Sequence, residues 1–250
     1  MSRQPEWWEN FFTGLSLDLW RAAVTEEQTR AEADFIERHL RLAPQSKILD
    51  VPCGSGRHSL ELASRGFRLR GVDIAVDFVK EAQAKATERG LDFTCEQREM
   101  RDLPWPEEFD GAYSFGNSFG YLTDEGNAEF LRAVSRALKP GAHFLIETGT
   151  TAESILPHLE SHRSFEFGDI KMLIDNSYDH TSGRLNTDYT FIRGDREERR
   201  ASSHRIYPYN ELCRLLQAAG FEHCEGYSSL GDEPFKLGAQ RLYMETTKSK

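Results

Sequence analysis

Ile48-Leu49-Asp50-Val51-Pro52-Cys53-Gly54-Ser55-Gly56-Arg57-His58 is the stretch whose reading decides the fold. An apolar run ends in an acid, two glycines follow, and Leu60, Leu62 and Ala63 then recur at helical spacing up to Gly66. That is the pattern of a buried strand turning into a helix. Glycines let a backbone approach a ligand closely, and a helix start offers N–H groups that have no partner inside the helix. A second apolar run, Phe67 to Val72, ends in Asp73. Nucleotide folds place a ribose-binding acid at about this interval, roughly 20 residues past the glycines.

Two glycines by themselves also suit an ordinary tight turn, so rival readings have to be weighed. A dinucleotide fold would put its third glycine at Ser59, and the close helix–strand contact served by that glycine is lost here. There is no Gly-Lys-Ser/Thr, which excludes a phosphate-cradling loop. Asp50 stands where it would repel a pyrophosphate but attract a cationic ligand. The loop therefore points away from NAD and towards S-adenosylmethionine, which carries a sulfonium and an amino group.

At this point the sequence resembles the class I S-adenosylmethionine-dependent methyltransferases. Leu49-Asp50-Val51-Pro52-Cys53-Gly54-Ser55-Gly56 matches the first motif and Gly71-Val72-Asp73-Ile74 the second. Glu99-Met100-Arg101-Asp102-Leu103-Pro104 matches the adenine-side motif, where the family often has Asp in place of Glu99. Phe109-Asp110-Gly111-Ala112-Tyr113-Ser114 matches the fourth strand, and Leu138-Lys139-Pro140-Gly141-Ala142 the turn before the fifth. The resemblance covers about residues 46 to 148, with a weaker echo in Glu211 to Phe221. It implies a three-layer, Rossmann-like α/β fold with a seven-stranded sheet, mostly parallel, whose last strand is antiparallel. It also implies roles. Asp50 would hold the amino end of the cofactor's methionine moiety, while Pro52, Cys53, Gly54, Ser55 and Gly56 form the close turn. Asp73 would accept the ribose hydroxyls, Ile74 and Met100 would flank the adenine, and Glu99 would take its amino group. Phe115 and Trp20 complete the expected cofactor contacts, and S-adenosylhomocysteine is the expected product.

The bulk numbers agree with such an enzyme. At 250 residues the chain reads as one domain with embellishments, large enough for a sizeable core. A mean hydropathy of -0.60 and the lack of any long apolar run argue against a membrane span. The start, Met1 to Trp7, lacks the apolar centre of a signal peptide, so a cytoplasmic location is expected. Cys53, Cys95, Cys213 and Cys224 show no paired or metal-type spacing and read as reduced thiols. The formal net charge of -10 disfavours nucleic acid as a partner. The arginines between Arg193 and Arg205 are interrupted by Asp195, Glu197 and Glu198, which suits a solvated strand better than a phosphate-binding patch.

Along the chain, residues 5–44 read as an N-terminal helical cap. Trp7, Trp8, Phe11 and Phe12 form an aromatic cluster, and Thr25-Glu26-Glu27-Gln28 opens a further helix with a capping box. These aromatics suit either a core or a lid over the cofactor; relatives of the family often use their N-terminal helices as a lid. Residues 46–148 alternate strand and helix, the pattern of a parallel sheet covered on both faces. Ligands of such sheets sit beyond the carboxyl ends of the strands, where Asp50, Asp73, Glu99 and Asn117 all fall. Residues 163–207 break the alternation and read as an antiparallel insertion with strands near Ile170–Tyr178, Leu185–Arg193 and Glu198–Tyr207. Residues 208–247 return to the core plan with a helix and a closing hairpin.

Methyl transfer draws its reactivity from the cofactor, and the protein supplies alignment and a dry pocket. No obligatory catalytic residue is therefore written in the sequence. Asn117 and Tyr121 follow the fourth strand where the resemblance places acceptor-facing residues, and His180, His204 and Arg205 are candidates from the insertion. Asn-Pro-Pro-Tyr and Asp-Pro-Pro-Tyr, which would mark an amino-nitrogen methylase of nucleic acids or glutamine, are absent. No histidine pair with a carboxylate suggests a metal. The sequence supports methyl transfer to a nitrogen or oxygen of a small molecule, by a monomer or homodimer. An RNA or protein methyltransferase, a nucleotide-binding oxidoreductase and a non-catalytic cofactor-binding protein are the competing readings.

Overall fold

The computed structural model describes residues 6–250, so Pro5, where the expected helical cap begins, and the rest of Met1–Pro5 lie outside the described residues. The main sheet is built from β1 (Lys47–Asp50), β2 (Arg68–Asp73), β3 (Phe93–Gln97), β4 (Phe109–Ser114), β5 (Leu138–Thr148), β10 (Phe221–Tyr227) and β11 (Leu242–Lys248). Its order is β10-β11-β5-β4-β1-β2-β3, and β11 runs antiparallel to both of its neighbours. The other neighbouring pairs, from β5 to β3, are parallel. This is the expected seven-stranded, Rossmann-like sheet.

Successive residues of a strand point to opposite faces, so an apolar run can feed two cores at once. Ile48 packs with Phe35, Ile36, Leu60, Leu62 and Val79 on one face. Those residues come from α3 (Glu26–Leu40), α4 (Arg57–Ser64) and α5 (Val76–Glu88). Leu49 packs on the other face with Phe130, Leu131 and Val134 of α6 (Asp124–Ala137) and with Leu212 and Leu216 of α8 (Tyr209–Ala218). The Thr25 hydroxyl accepts the Gln28 N–H at 3.1 Å, which caps α3 where the capping box is read.

The chain reverses direction of travel across the sheet between β1 and β4, and the crevice beyond the strand ends at that point is where such folds take ligands. A second sheet covers it. β6 (His162–Phe167), β7 (Ile170–Asp179), β8 (Arg184–Arg193) and β9 (Arg196–Arg205) form a four-stranded antiparallel sheet in sequence order. It arrives after the short helix α7 (Ala152–Ile155). One face of this sheet receives α1 (Trp7–Phe11) and α2 (Gly14–Ala22): Phe11, Leu15 and Leu19 bury against Ile170, Met172 and Phe191. Polar ties fix the docking. Arg193 reaches Asp18 at 2.9 Å, and the Leu15 N–H donates to Glu198 Oε2 at 3.2 Å.

Three departures from the sequence reading stand out. The insertion gains a strand, β6, whose alternation is confined to the partly covered Phe165 and Phe167, too short a run to announce it. The turn expected at Leu138–Ala142 belongs to β5, whose pairing with β4 is offset between Phe109 and Gly111. The last strand begins at Leu242, three residues after the expected Ala239.

Candidate active site

A cavity of about 540 Å³ lies between the strand ends of the main sheet and the roof formed by α1, α2 and the second sheet. Gly54 and Gly56, in the loop after β1, both hold positive φ, +54° and +73°. A Cβ on Gly56 would lie 2.7 Å from the Phe93 ring, so that position has room for glycine alone. A Cβ on Gly54 would meet nothing within 4 Å, because that position faces open space.

Two acids anchor the loop from neighbouring strand ends. Asp73 accepts the Gly54 N–H at 2.7 Å through Oδ2 and the Ala75 N–H at 2.8 Å through Oδ1. Burial raises its pKa, and these N–H groups act in the opposite direction. Asp50 accepts the Ser59 hydroxyl at 2.7 Å and the Tyr113 hydroxyl at 2.9 Å, both on Oδ2. Ser59 thus stands where a dinucleotide fold would need glycine and serves the acid instead. Burial pushes Asp50 up to about 7, against the pull of those two hydroxyls.

The expected cofactor residues Asp50, Pro52, Cys53, Gly54, Ser55, Asp73, Ile74, Met100, Phe115 and Trp20 all line this cavity. Gly56 starts α4 behind the loop and lies outside the lining. Glu99 is outside the lining as well: its Oε2 accepts from Arg101 at 2.8 Å, and its Oε1 is buried without a partner. The Cys53 sulfur sits 3.3 Å from that of Cys95 at the back of the loop, and the contact and burial together drive the Cys53 thiol well above its usual range.

The acceptor candidates separate into two places. Asn117, Tyr121 and His204 line the cavity. Asn117 holds φ +64°, and its Oδ1 accepts the Gly149 N–H at 2.7 Å and the Thr148 hydroxyl at 3.0 Å, so its carbonyl ties β4's exit to β5's. Tyr121 packs edge-on against His204, centroids 4.8 Å apart. His180 and Arg205 line a separate recess, where Arg205 is held by Asp124 at 3.0 Å and Glu211 at 2.9 Å.

Several lining residues have no counterpart in the sequence reading. Glu32, on α3, pairs with Arg57, accepts from Gln28 at 3.0 Å and meets His58 at 2.8 Å. Burial would raise Glu32, but the His58 contact and the two basic groups outweigh it and bring it to about 2. Glu147, at the end of β5, takes the Gly116 and Asn117 N–H groups at 2.8 and 3.2 Å and pairs with Arg241. Glu32 sits among apolar positions at helical spacing, the one available signal that it faces inward.

Residues 48–141, the segment that carries the glycine loop and both anchoring acids, match the family described as "Methyltransferase domain". Residues 48–141 thus match a methyltransferase domain, and the fold around them is that of solved S-adenosylmethionine-dependent methyltransferases. Beyond that segment, the chain is 24% identical over 254 residues to a Geobacillus protein named as a methyltransferase, covering 97% of each. A ubiquinone biosynthesis O-methyltransferase of Chromobacterium violaceum is 33% identical over 117 residues, 46% of this chain and 49% of that one. Among solved structures, the CcbJ methyltransferase of Streptomyces caelestis superposes with a TM-score of 0.82 at 16% identity, over 97% of this chain and 99% of that one. That likeness extends the shared fold to the roof, which lies outside the matched segment.

Proposed function

We propose that this protein transfers a methyl group from S-adenosylmethionine to a small molecule bound under the roof. The observation that carries the reading is the meeting of Asp50 and Asp73 at adjacent strand ends, around a glycine loop, on one cavity. The residues fit the cofactor. Among the described residues, both hydroxyl contacts of Asp50 fall on Oδ2, which leaves Oδ1 for an amino group, and a cation beside it restores the charge that burial suppresses. Asp73 keeps lone pairs for the ribose hydroxyls after serving two N–H groups. Ile74 and Met100 offer apolar surface to the adenine, while Glu99, outside the lining, keeps an unpartnered Oε1 next to Met100 in the chain.

When bound, the cofactor supplies an electrophilic methyl group. The protein's share is to orient the acceptor and exclude water, and alignment alone can be worth about 7–11 kcal/mol. Trp7, Phe11, Phe12, Tyr121 and Tyr189 wall the cavity and keep it dry. At about 540 Å³, shared between cofactor and acceptor, the space suits a small molecule. Ubiquinone biosynthesis O-methyltransferase and the CalS10 amino pentose methyltransferase, with TM-score 0.68, support an acceptor of that size.

Thermal unfolding with S-adenosylmethionine, S-adenosylhomocysteine, NAD and NADP, on wild type and Asp73→Ala, tests the reading. A ligand at about 100 times its Kd adds roughly 2.7 kcal/mol. Stabilisation by the two adenosyl compounds, lost in the variant, is the expected result. Stabilisation by NAD instead defeats it.

A further inference from the structure

Asn117 lines the cavity just past the exit of β4, in the left-handed backbone region that Asn tolerates better than most residues. Glu147 keeps the backbone there: its Oε2 takes the Gly116 and Asn117 N–H groups, and its Oε1 pairs with Arg241. The side chain is held as firmly. Its Oδ1 accepts the Gly149 N–H at 2.7 Å, the Thr148 hydroxyl at 3.0 Å and the Thr150 hydroxyl at 3.5 Å. A backbone N–H can only donate, so the atom facing Gly149 has to be the amide oxygen. That contact fixes which way the amide points.

With the oxygen turned to β5, the Nδ2 group is left over. Among the described residues it has no hydrogen-bond partner, and it is not one of the buried polar atoms, so it stays open to the cavity. An amide NH2 offers two donors and no lone pair. Glu147 cannot receive them, because both of its oxygens are engaged. Glu32 is spent on Arg57, Gln28 and His58. Arg241 lines the same corner and gives one guanidinium nitrogen to Glu147, which leaves further N–H groups. A Cβ on Gly149 would lie 3.9 Å from Asn117 Oδ1 and 4.0 Å from Arg241 Cγ, so the two side chains flank one bare stretch of backbone. The place in the sheet separates this corner from the adenosyl acids. Asp73 and Asp50 end β2 and β1, whereas Asn117 leans from β4 onto β5 and Arg241 precedes β11. β5 lies two strands beyond β1, about 10 Å away at the usual strand spacing.

We propose that Asn117 determines specificity: its Nδ2 donates to a carbonyl or carboxylate oxygen of the methyl acceptor, with Arg241 beside it. The proposal rests on the methyltransferase reading. It holds for a nitrogen or an oxygen nucleophile alike, since the amide binds another oxygen of the acceptor and moves no proton. Five hydrogen bonds to Asn117 and its neighbours fix the donor before the ligand arrives, so little order has to be gained on binding.

Asn117→Asp keeps the oxygen that holds β5 and replaces the donating NH2 by a second oxygen. Asn117→Gly accepts the left-handed backbone at no cost and deletes both. The full chain, saturated with S-adenosylhomocysteine at pH 8, is titrated with benzoate and with benzylamine by calorimetry. Benzoate should bind wild type and lose at least tenfold in affinity in Asn117→Asp, with a loss in Asn117→Gly as well. Benzylamine should bind Asn117→Asp no more weakly than wild type. The Tm of Asn117→Asp should stay near that of wild type, while Asn117→Gly, without the tie to β5, melts lower. Benzoate affinity unchanged in both variants would reduce Asn117 to that tie and overturn the proposal, as would a wild type that does not bind benzoate. S-Adenosylhomocysteine and 5′-methylthioadenosine, which lacks the amino-acid end, are titrated into the free protein. Equal affinities in wild type and Asn117→Asp are expected for each. A loss for S-adenosylhomocysteine alone would assign the amide to the cofactor's carboxylate and overturn the acceptor assignment. Failure of wild type to bind either adenosyl compound would strike the methyltransferase reading itself.

Discussion

The floor and the roof of the cavity are made on opposite plans. On the floor, the functional groups are short acids and glycines at strand ends, fixed by backbone hydrogen bonds to the next strand or loop. In the roof they are large rings on a helix and a separate sheet, fixed by packing across long sequence separations. A floor of that kind suits one ligand with constant chemistry. A roof of this kind can be re-lined by changing a few rings without touching the floor, and so can be adapted to different acceptors.

The largest expected effect separates the two in stability. Phe191 is fully buried where the second sheet meets α1 and α2, away from the strand ends. Phe191→Ala should cost about 3–5 kcal/mol in urea unfolding. At a temperature where it remains folded, its affinity for S-adenosylhomocysteine should stay within a few-fold of wild type. A loss as deep as that of Asp73→Ala would mean that the roof carries cofactor binding, and the division would fail.

The two glycines of the loop sharpen the same division within the floor. Gly56→Ala forces a Cβ against Phe93 and a left-handed backbone on alanine, for a cost of about 2–4 kcal/mol in unfolding. Gly54→Ala carries only the backbone penalty, about 1–2 kcal/mol, since its Cβ points into open space. That open space is where we propose that the cofactor binds, so Gly54→Ala should lower adenosyl affinity more than Gly56→Ala while destabilising less. Calorimetric binding set beside unfolding free energies checks the inversion. Equal ranking in both measurements would remove Gly54 from the binding surface.

The same difference in construction explains what the sequence made legible. Strands of the floor are buried on both faces, so Ile48-Leu49 and Gly71-Val72 read as apolar runs, and the acids that end them stand out. The roof is set by register. His204 pairs with Leu185 and Ser202 with Thr187, which places both on the face that carries Tyr189 and Phe191. Arg205, one residue on, falls on the other face by the strand's period of two, and His180 sits in the turn. Without the register, the three insertion candidates were indistinguishable. Glu32 and Glu147 escaped for another reason: each is an acid whose partners, Arg57 and Arg241, are brought to it only by folding.

The smallest effect concerns pH and, in wild type, is visible only in binding. Asp50 is raised from its ordinary value to about 7, so between about 4 and 7 the folded protein holds a proton there that the unfolded chain has lost. Stability from Asp50 therefore falls as pH rises through that window. His204 is lowered to about 4, so the unfolded chain holds the extra proton between about 4 and 6.5, and its contribution rises with pH over nearly the same span. The two slopes oppose each other, and a stability–pH curve of wild type will hide both. Ligand affinity does not share the ambiguity, because an amino group or sulfonium is attracted only to ionised Asp50. S-Adenosylmethionine affinity should fall about tenfold from pH 8 to pH 6, since below about 7 each unit of pH removes up to a factor of ten. Asp50→Asn should bind more weakly at pH 8 and show no such slope. It should also unmask the rise in stability with pH that His204 contributes. A slope retained in Asp50→Asn would assign the titration to another group and place the cationic end of the cofactor elsewhere on the floor.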